Sequence, residues 1–275
     1  MTNSRKFRVA VIGLGWWGQT IVRYLKNARN IDCVLTTDLN LEAGRAFAQS
    51  QGVDFAPSFE AALQDPRVEG VVLCTPHSMH ADQMVQVAAA GKHIFCEKPL
   101  CLNRADVLRA MKAINERKLT LAVGHERRFE PPVMRAMEMI HSGLIGTPLQ
   151  MEANFSQDKF LQMASDNWRL NAAEAPAGPM TATGIHLLDL SVGVFGPAET
   201  VFASVKQLGN DNASTVTQKN SAVKMRSVLV SMVPTAKFFR RNIEINAAVA
   251  NTCVAAPPNV CNTKAGLNAG APWPV

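Results

Sequence analysis

The chain has 275 residues, of which 47% are hydrophobic and 18% charged, enough for one or two domains with a large core. Its net charge of +6 would fit a nucleic-acid partner, but residues 212–275 hold seven Lys or Arg against one acid, Glu244, while the first 211 residues balance. A charge excess confined to the tail, with no basic aromatic patch, argues against nucleic acid, and no apolar run is long enough to span a bilayer.

The N-terminal residues lead directly into an apolar run, so no signal peptide is expected. The six cysteines (Cys33, Cys74, Cys96, Cys101, Cys253 and Cys261) include no CxxC pair. Those in the first half sit in or near apolar runs, where buried thiols are the ordinary reading, and a cytoplasmic location is expected.

The run Phe7-Arg8-Val9-Ala10-Val11-Ile12 predicts a strand that turns at Gly13-Leu14-Gly15-Trp16-Trp17-Gly18. Ile21, Val22 and Leu25 then share one helical face, and Cys33-Val34-Leu35 predicts a second strand ending in Thr36-Thr37-Asp38. Strand, glycine turn, helix, strand and acid in that order make a dinucleotide-binding unit. Gly13 allows the tight turn, Gly15 lets backbone approach a pyrophosphate, and Gly18 lets helix and strand pack closely. The helix N-terminus offers N–H groups and a positive dipole end to the phosphates. Asp38, placed 20 residues after Gly18, can accept from the adenosine ribose hydroxyls. The same carboxylate repels a 2′-phosphate, and Leu39, Asn40 and Leu41 bring no cation, so NAD is expected rather than NADP. Trp16 and Trp17 either rim the pyrophosphate or pack between helix and sheet.

Residues 41–51 predict a helix, and 58–63 a short one with Ser58 as N-cap. Gly70-Val71-Val72-Leu73-Cys74 predicts a parallel strand buried on both faces. Thr75-Pro76-His77-Ser78-Met79-His80 follows and opens a helix lined by Ala81, Met84, Val85 and Ala88, which Gly91 stops. His93-Ile94-Phe95-Cys96 is the next strand, ending in Glu97-Lys98-Pro99. Val107, Leu108, Met111 and Ile114 mark another helix, and Leu121-Ala122-Val123 closes a six-strand doubly wound sheet. Further on, Met134, Met137 and Ile140 fit a helix, residues 150–155 alternate like a strand, and a helix is expected over 181–194. Residues 200–207, 227–233 and 238–250 read as strands. Residues 251–275 carry no Asp or Glu, several breakers (Pro257, Pro258, Gly266, Gly270, Pro272) and no periodicity. Such a segment buries too little to offset its ordering entropy, so loose packing or disorder is expected there.

Several of these motifs, with Gly124-His125-Glu126-Arg127-Arg128-Phe129, Trp168-Arg169 and Gly184-Ile185-His186-Leu187-Leu188-Asp189, resemble the Gfo/Idh/MocA oxidoreductase family over residues 7–205. The others are the glycine turn at 13–18, the Thr75 to His80 segment and Glu97-Lys98-Pro99. The resemblance implies an NAD(P)-binding Rossmann domain over 1–124 and an α+β domain over 125–250. The second domain would place an open, mainly antiparallel sheet over the nicotinamide end of the cleft. The 251–275 tail departs from the family, and a truncated or frame-shifted reading frame would explain both it and an incomplete sheet. The implied activity is hydride transfer between a nicotinamide cofactor and a secondary alcohol of a sugar, inositol or related polyol. Family members form homo-oligomers, which this tail would compromise. Two other readings stand beside it: a glycosidase of the same family that uses bound NAD transiently, and a non-catalytic NAD-binding regulator.

Lys98 follows a buried strand at the carboxyl edge of the sheet, where doubly wound folds place their ligands. The resemblance gives this lysine a hydrogen bond to the reacting oxygen, so that its charge steadies a developing alkoxide. Glu97 either orients Lys98 or caps neighbouring backbone. The resemblance also makes His186 the general acid/base. Asp189, at i+3, either orients His186 or serves as a cap or salt-bridge partner. Many family members carry an aspartate four residues before the histidine, and here that residue is Ala182. The catalytic pair is then Lys98 and His186, with Thr181 or Thr183 as polar substitutes, in either a branch without the aspartate or an inactive protein. Thr75, Pro76 and His80 are expected to line the cofactor with Glu97 and Lys98, although His80 is equally a helix-start histidine with no ligand. Arg127, Trp168, Arg169 and Asp189 are substrate-pocket candidates, with an ordinary ion pair the other reading of Arg169. The histidines show no metal-ligand spacing, so no metal is expected.

Overall fold

The structure is a computed structural model that describes residues 5–155, 163–164, 166–178, 180–201 and 230–232. Short apolar runs without charge on either face need helices above and below them, and the first half of the chain meets that demand. Strands β1 (Phe7–Ile12), β2 (Ile31–Thr37), β3 (Asp54–Phe55), β4 (Gly70–Leu73), β5 (His93–Cys96) and β6 (Leu121–Val123) form one parallel sheet in the order β3-β2-β1-β4-β5-β6. The order reverses between β1 and β4, so a crevice opens at their carboxyl ends.

Two cores sit on the two faces, and β1 shows why. Its side chains alternate, Val9 and Val11 facing Val22 of α1 (Trp16–Leu25), with Phe47 of α2 (Leu41–Gln51) packed alongside. Ala10 and Ile12 face the opposite core, which α3 (Phe59–Gln64), α4 (His80–Ala89) and α5 (Arg104–Glu116) complete. Ser58 caps α3 as its sequence predicts, accepting from the Ala61 N–H, and Asn40 and Asn103 cap α2 and α5 in the same way. Cys33, Cys74, Cys96 and Cys101 are all free thiols in or beside these strands.

Three details differ from the sequence reading. The sixth strand is β3, two residues long and too short to leave a periodic signal. The buried stripe of α4 runs through Ala81, Met84, Val87 and Ala88, with Val85 only partly covered. Leu108 on α5 is 52% exposed, because Val107, Ala110, Met111 and Ile114 already fill the face turned to the sheet.

After β6 the chain makes a short 3-10 turn (Glu126–Phe129), α6 (Pro131–His141) and β7 (Met151–Ala153). The helix expected over 181–194 divides into a π-helical turn, Met180–Gly184, and α7 (Ile185–Phe195). A three-residue β8 (Val230–Met232), inside the strand expected over 227–233, pairs antiparallel with β7. The strands expected at 202–207 and 238–250 and the irregular tail at 251–275 lie outside the described residues. Among the described residues no helix is long and apolar enough to cross a membrane.

Met84 is wholly buried in the larger core. Met84→Ala should cost about 2–5 kcal/mol, read as a lower urea midpoint at unchanged slope. A loss below about 1 kcal/mol would show that α4 does not anchor that core.

Candidate functional site

The glycine turn at the end of β1 forms a phosphate cradle. Gly13 has φ +88°, and a Cβ there would stand 2.8 Å from the Cys74 carbonyl oxygen. A Cβ on Gly18 would stand 1.8 Å from the Gly13 carbonyl oxygen, so only glycine lets α1 leave the strand at this distance. At Gly15 a Cβ would meet nothing within 4 Å, and no side chain caps the N-terminus of α1. The turn thus presents open backbone and a positive helix end, the surface a pyrophosphate requires. Beside it lies a cavity of about 210 Å³ lined by Leu14, Gly15, Gln19, Asp38, Asn40, Ala43 and Gly44. Asp38 is fixed at its wall: one carboxylate oxygen accepts from the Leu14 N–H at 2.5 Å and the other from the Asn40 N–H at 2.8 Å. Trp16 is 76% exposed beside the cradle. Trp17 turns the other way and donates its indole N–H to Glu97 at 2.6 Å.

The carboxyl ends of β4 and β5 supply the next groups. Thr75 gives its hydroxyl to Gln83, while its carbonyl faces His80 Nε2 at 3.0 Å. His80 Nδ1 faces the Pro99 carbonyl at 2.9 Å, and the ring has no exposed surface. His80 is thus enclosed between Thr75 and the Lys98-Pro99 loop. Pro76 opens the short turn His77–Met79 that leads into α4.

Glu97 is buried at 8% exposure, pressed against Gly124, where a Cβ would stand 2.6 Å from its Oε1. Of its two expected roles it fulfils the capping one, accepting the Lys98 backbone N–H at 3.3 Å as well as the Trp17 indole. Burial pushes its carboxyl up to about 7, against the Trp17 hydrogen bond and the Lys98 charge, while the Glu126 charge adds to the rise. Lys98 is half-buried and its ammonium donates to the Ala182 carbonyl at 2.8 Å. That carbonyl lies in the π-helical turn, a distortion frequent at functional sites, one turn before His186.

His186 is 5% exposed, at the start of α7. Its Nε2 lies 3.8 Å from the Glu126 carboxylate, and the His125 ring stands perpendicular at 6.0 Å. Asp189 takes the salt-bridge role left open for it. Arg128 grips it with Nε to Oδ2 at 2.5 Å and Nη2 to Oδ1 at 2.7 Å, and also donates to its backbone carbonyl. That grip uses Asp189 to fasten α7 to the Glu126–Phe129 turn. Thr181 is no substitute for an acid, since it is fully buried and its oxygen accepts the Ala177 N–H.

Over the cleft, residues 167–174 dock on the His77–Met79 turn. Trp168 meets the His77 ring edge-on at 4.8 Å, and Arg169 stacks on Trp168 at 4.2 Å. The Glu174 carbonyl faces His77 Nδ1, and its carboxylate accepts from the Ser78 N–H at 2.9 Å. Burial pushes His77 down to about 4 and lowers Arg169. Arg127 pairs with Glu130 and covers Phe155 at 5.4 Å. The sequence marked Glu126 and Arg128 only as members of the 124–129 motif and gave neither a role; the fold turns them toward α7.

The shift of Glu97 has a defined sign. Between 4.5 and about 7 the folded chain holds a proton that the unfolded chain releases, so this carboxyl contributes less stability as pH rises through that window. Glu97→Gln should therefore gain on the parent from pH 5 to pH 8, on the order of 3 kcal/mol. Urea unfolding of both proteins at the two pH values checks this, and a pH-independent difference would refute the desolvation.

Comparison with known proteins agrees with this geometry. Residues 7–125 match the model of an oxidoreductase family with an NAD-binding Rossmann fold, and residues 133–237 match the GFO/IDH/MocA C-terminal domain. An inositol 2-dehydrogenase of Rhizobium meliloti is 30% identical over 213 residues, 70% of this chain and 63% of that protein. The 2,7-anhydro-N-acetylneuraminate hydratase of Escherichia coli is 30% identical over 138 residues, 50% of this chain and 36% of its own length. The solved structure of GenD2 from gentamicin A biosynthesis, in complex with NAD, superposes with a TM-score of 0.64 at 26% identity, covering 72% of this chain and 56% of that one. The chain spans less than two thirds of the curated relatives it matches. Matching both of that family's domains in order, with the glycine cradle, Asp38 and the Lys98 loop in their places on the sheet, the chain belongs to the Gfo/Idh/MocA family of NAD-binding oxidoreductases.

Proposed function

We propose that this protein oxidises or reduces a secondary alcohol of a sugar, inositol or related polyol, with NAD as the hydride carrier. The observation that carries this reading is the reach of Lys98 from the sheet edge to the turn before His186. A cation and a titratable ring are thereby held at the carboxyl end of the strand-order reversal. Bound NAD supplies a nicotinamide carbon that accepts or returns a hydride. His186 takes the proton of the substrate hydroxyl, and the Lys98 ammonium steadies the negative oxygen. Trp168, Arg169 and Arg127 cover the far side, where a polyol would lie; the inositol dehydrogenase relative supports this substrate class. The division at residues 124–125, the homo-oligomer and the cytoplasmic location belong to the same proposal, the last in keeping with four free thiols.

Lys98→Ala and His186→Ala should each leave NAD affinity nearly intact and lower turnover by roughly 10²–10⁴. A polyol and sugar panel read by NADH absorbance provides the assay, and near-parental turnover in either variant removes that residue from the mechanism. The hydratase relative favours one rival, in which NAD is retained and the net reaction is not a redox change. Product formation without NADH release would establish it.

We also propose a preference for NAD over NADP. The Asp38 carboxylate is held toward the cavity by two backbone N–H groups, where it repels a 2′-phosphate. Dissociation constants for both cofactors measure this, and tighter NADP binding would overturn it.

A further inference from the structure

His186 and Glu126 come from different elements, α7 and the turn after β6, yet His186 Nε2 and Glu126 Oε1 are 3.8 Å apart. The separation is ion-pair range, longer than a hydrogen bond. The Glu126 side chain is 43% exposed while that of His186 is 6% exposed, so the approach joins a solvent-facing carboxylate to a buried ring. The neighbouring acids are engaged elsewhere. Asp189 is gripped by Arg128, Glu97 by Trp17 and the Lys98 N–H, and Glu174 by Ser78. Ala182, one turn before His186, brings only a methyl group. Cations are plentiful around the ring: Lys98 on the Ala182 carbonyl, Arg128 one turn along α7, and Arg127, whose Nε lies 3.7 Å from Glu126. His125, the other ring facing His186, has its Nδ1 3.9 Å from Asp189.

We propose that Glu126 is the positioning residue of His186, the carboxylate that makes a positive charge on this ring tolerable. The inference rests on the oxidoreductase reading above. In alcohol oxidation the C–H electron pair leaves with the hydride to the nicotinamide, and the O–H proton passes to an imidazole nitrogen. The ring becomes a cation among Lys98, Arg127 and Arg128, and the Glu126 charge offsets that repulsion through the 3.8 Å approach.

The test is the titration of His186 in the full chain, followed by imidazole C–H resonances and assigned with His186→Gln. Glu126→Gln should lower the His186 midpoint by roughly one unit, and Glu126→Asp should restore most of it. The acid limb of the kcat/KM profile should move the same way, with KM little changed. An unmoved His186 midpoint in Glu126→Gln, at a parental urea midpoint, overturns the proposal. A shifted midpoint in a protein that turns over no polyol would uphold the contact and overturn the oxidoreductase reading instead.

Discussion

The contact between Gly18 and the Gly13 carbonyl fixes the geometry of everything around the cradle. With only hydrogen on Gly18, α1 starts within the turn rather than beyond it, and its N-terminus points along the carboxyl edge of the sheet. Two further contacts depend on that start. Asp38 reaches back from β2 to the Leu14 N–H, and Trp17 reaches across to Glu97 at the end of β5. Three strands that are distant in sequence are thereby tied to one turn, at the place where their open ends need hydrogen-bond partners. Any side chain at position 18 would push the helix outward and loosen all of them at once.

Among the described residues, polar contacts tie the second half of the chain to this edge. α6 buries none of its residues fully, whereas Asp189 is 6% exposed and closed by Arg128. A buried ion pair adds little net stability, but breaking one partner is costly, so it sets position more than affinity. Here it sets where α7 stands relative to the Glu126–Phe129 turn. The π-helical turn before α7 contributes in the same sense, since its widened backbone presents the Ala182 carbonyl to Lys98. Lys98 and the start of α7 are therefore placed by a backbone carbonyl and by an aspartate that is already paired.

Much of the sheet half was legible because its signals are local. Gly13 and Gly18 mark a turn only glycine can make, and Ser58 caps the helix it precedes. Continuous burial along the apolar run of β1 and helical stripes on α4 and α5 follow from the order of apolar residues, with errors where a small residue was enough: Leu108 stays outside because Ala110 completes the face. The site was legible only as a set of residue types. Lys98 and His186 could be named, but His80 is enclosed and Asp189 is paired, and both outcomes depend on partners (Pro99 and Arg128) that lie 19 and 61 residues away. Charge pairs across such separations leave no periodicity. Glu126 stood in a quoted motif, but its approach to His186 was hidden for the same reason.

The four thiols of the sheet half carry a chemical consequence. Cys33 and Cys101 are pushed up to about 12 by burial, and Cys74 and Cys96 are raised well above the ordinary thiol value. Peroxides and alkylating reagents attack the thiolate, which none of these four side chains supplies near neutral pH. Cys96 and Cys101 are in addition buried, whereas Cys33 and Cys74 are partly exposed. Reaction at Cys96 or Cys101 therefore reports opening of the sheet rather than any reactivity of the sulfur, which makes these two thiols a built-in gauge of its integrity.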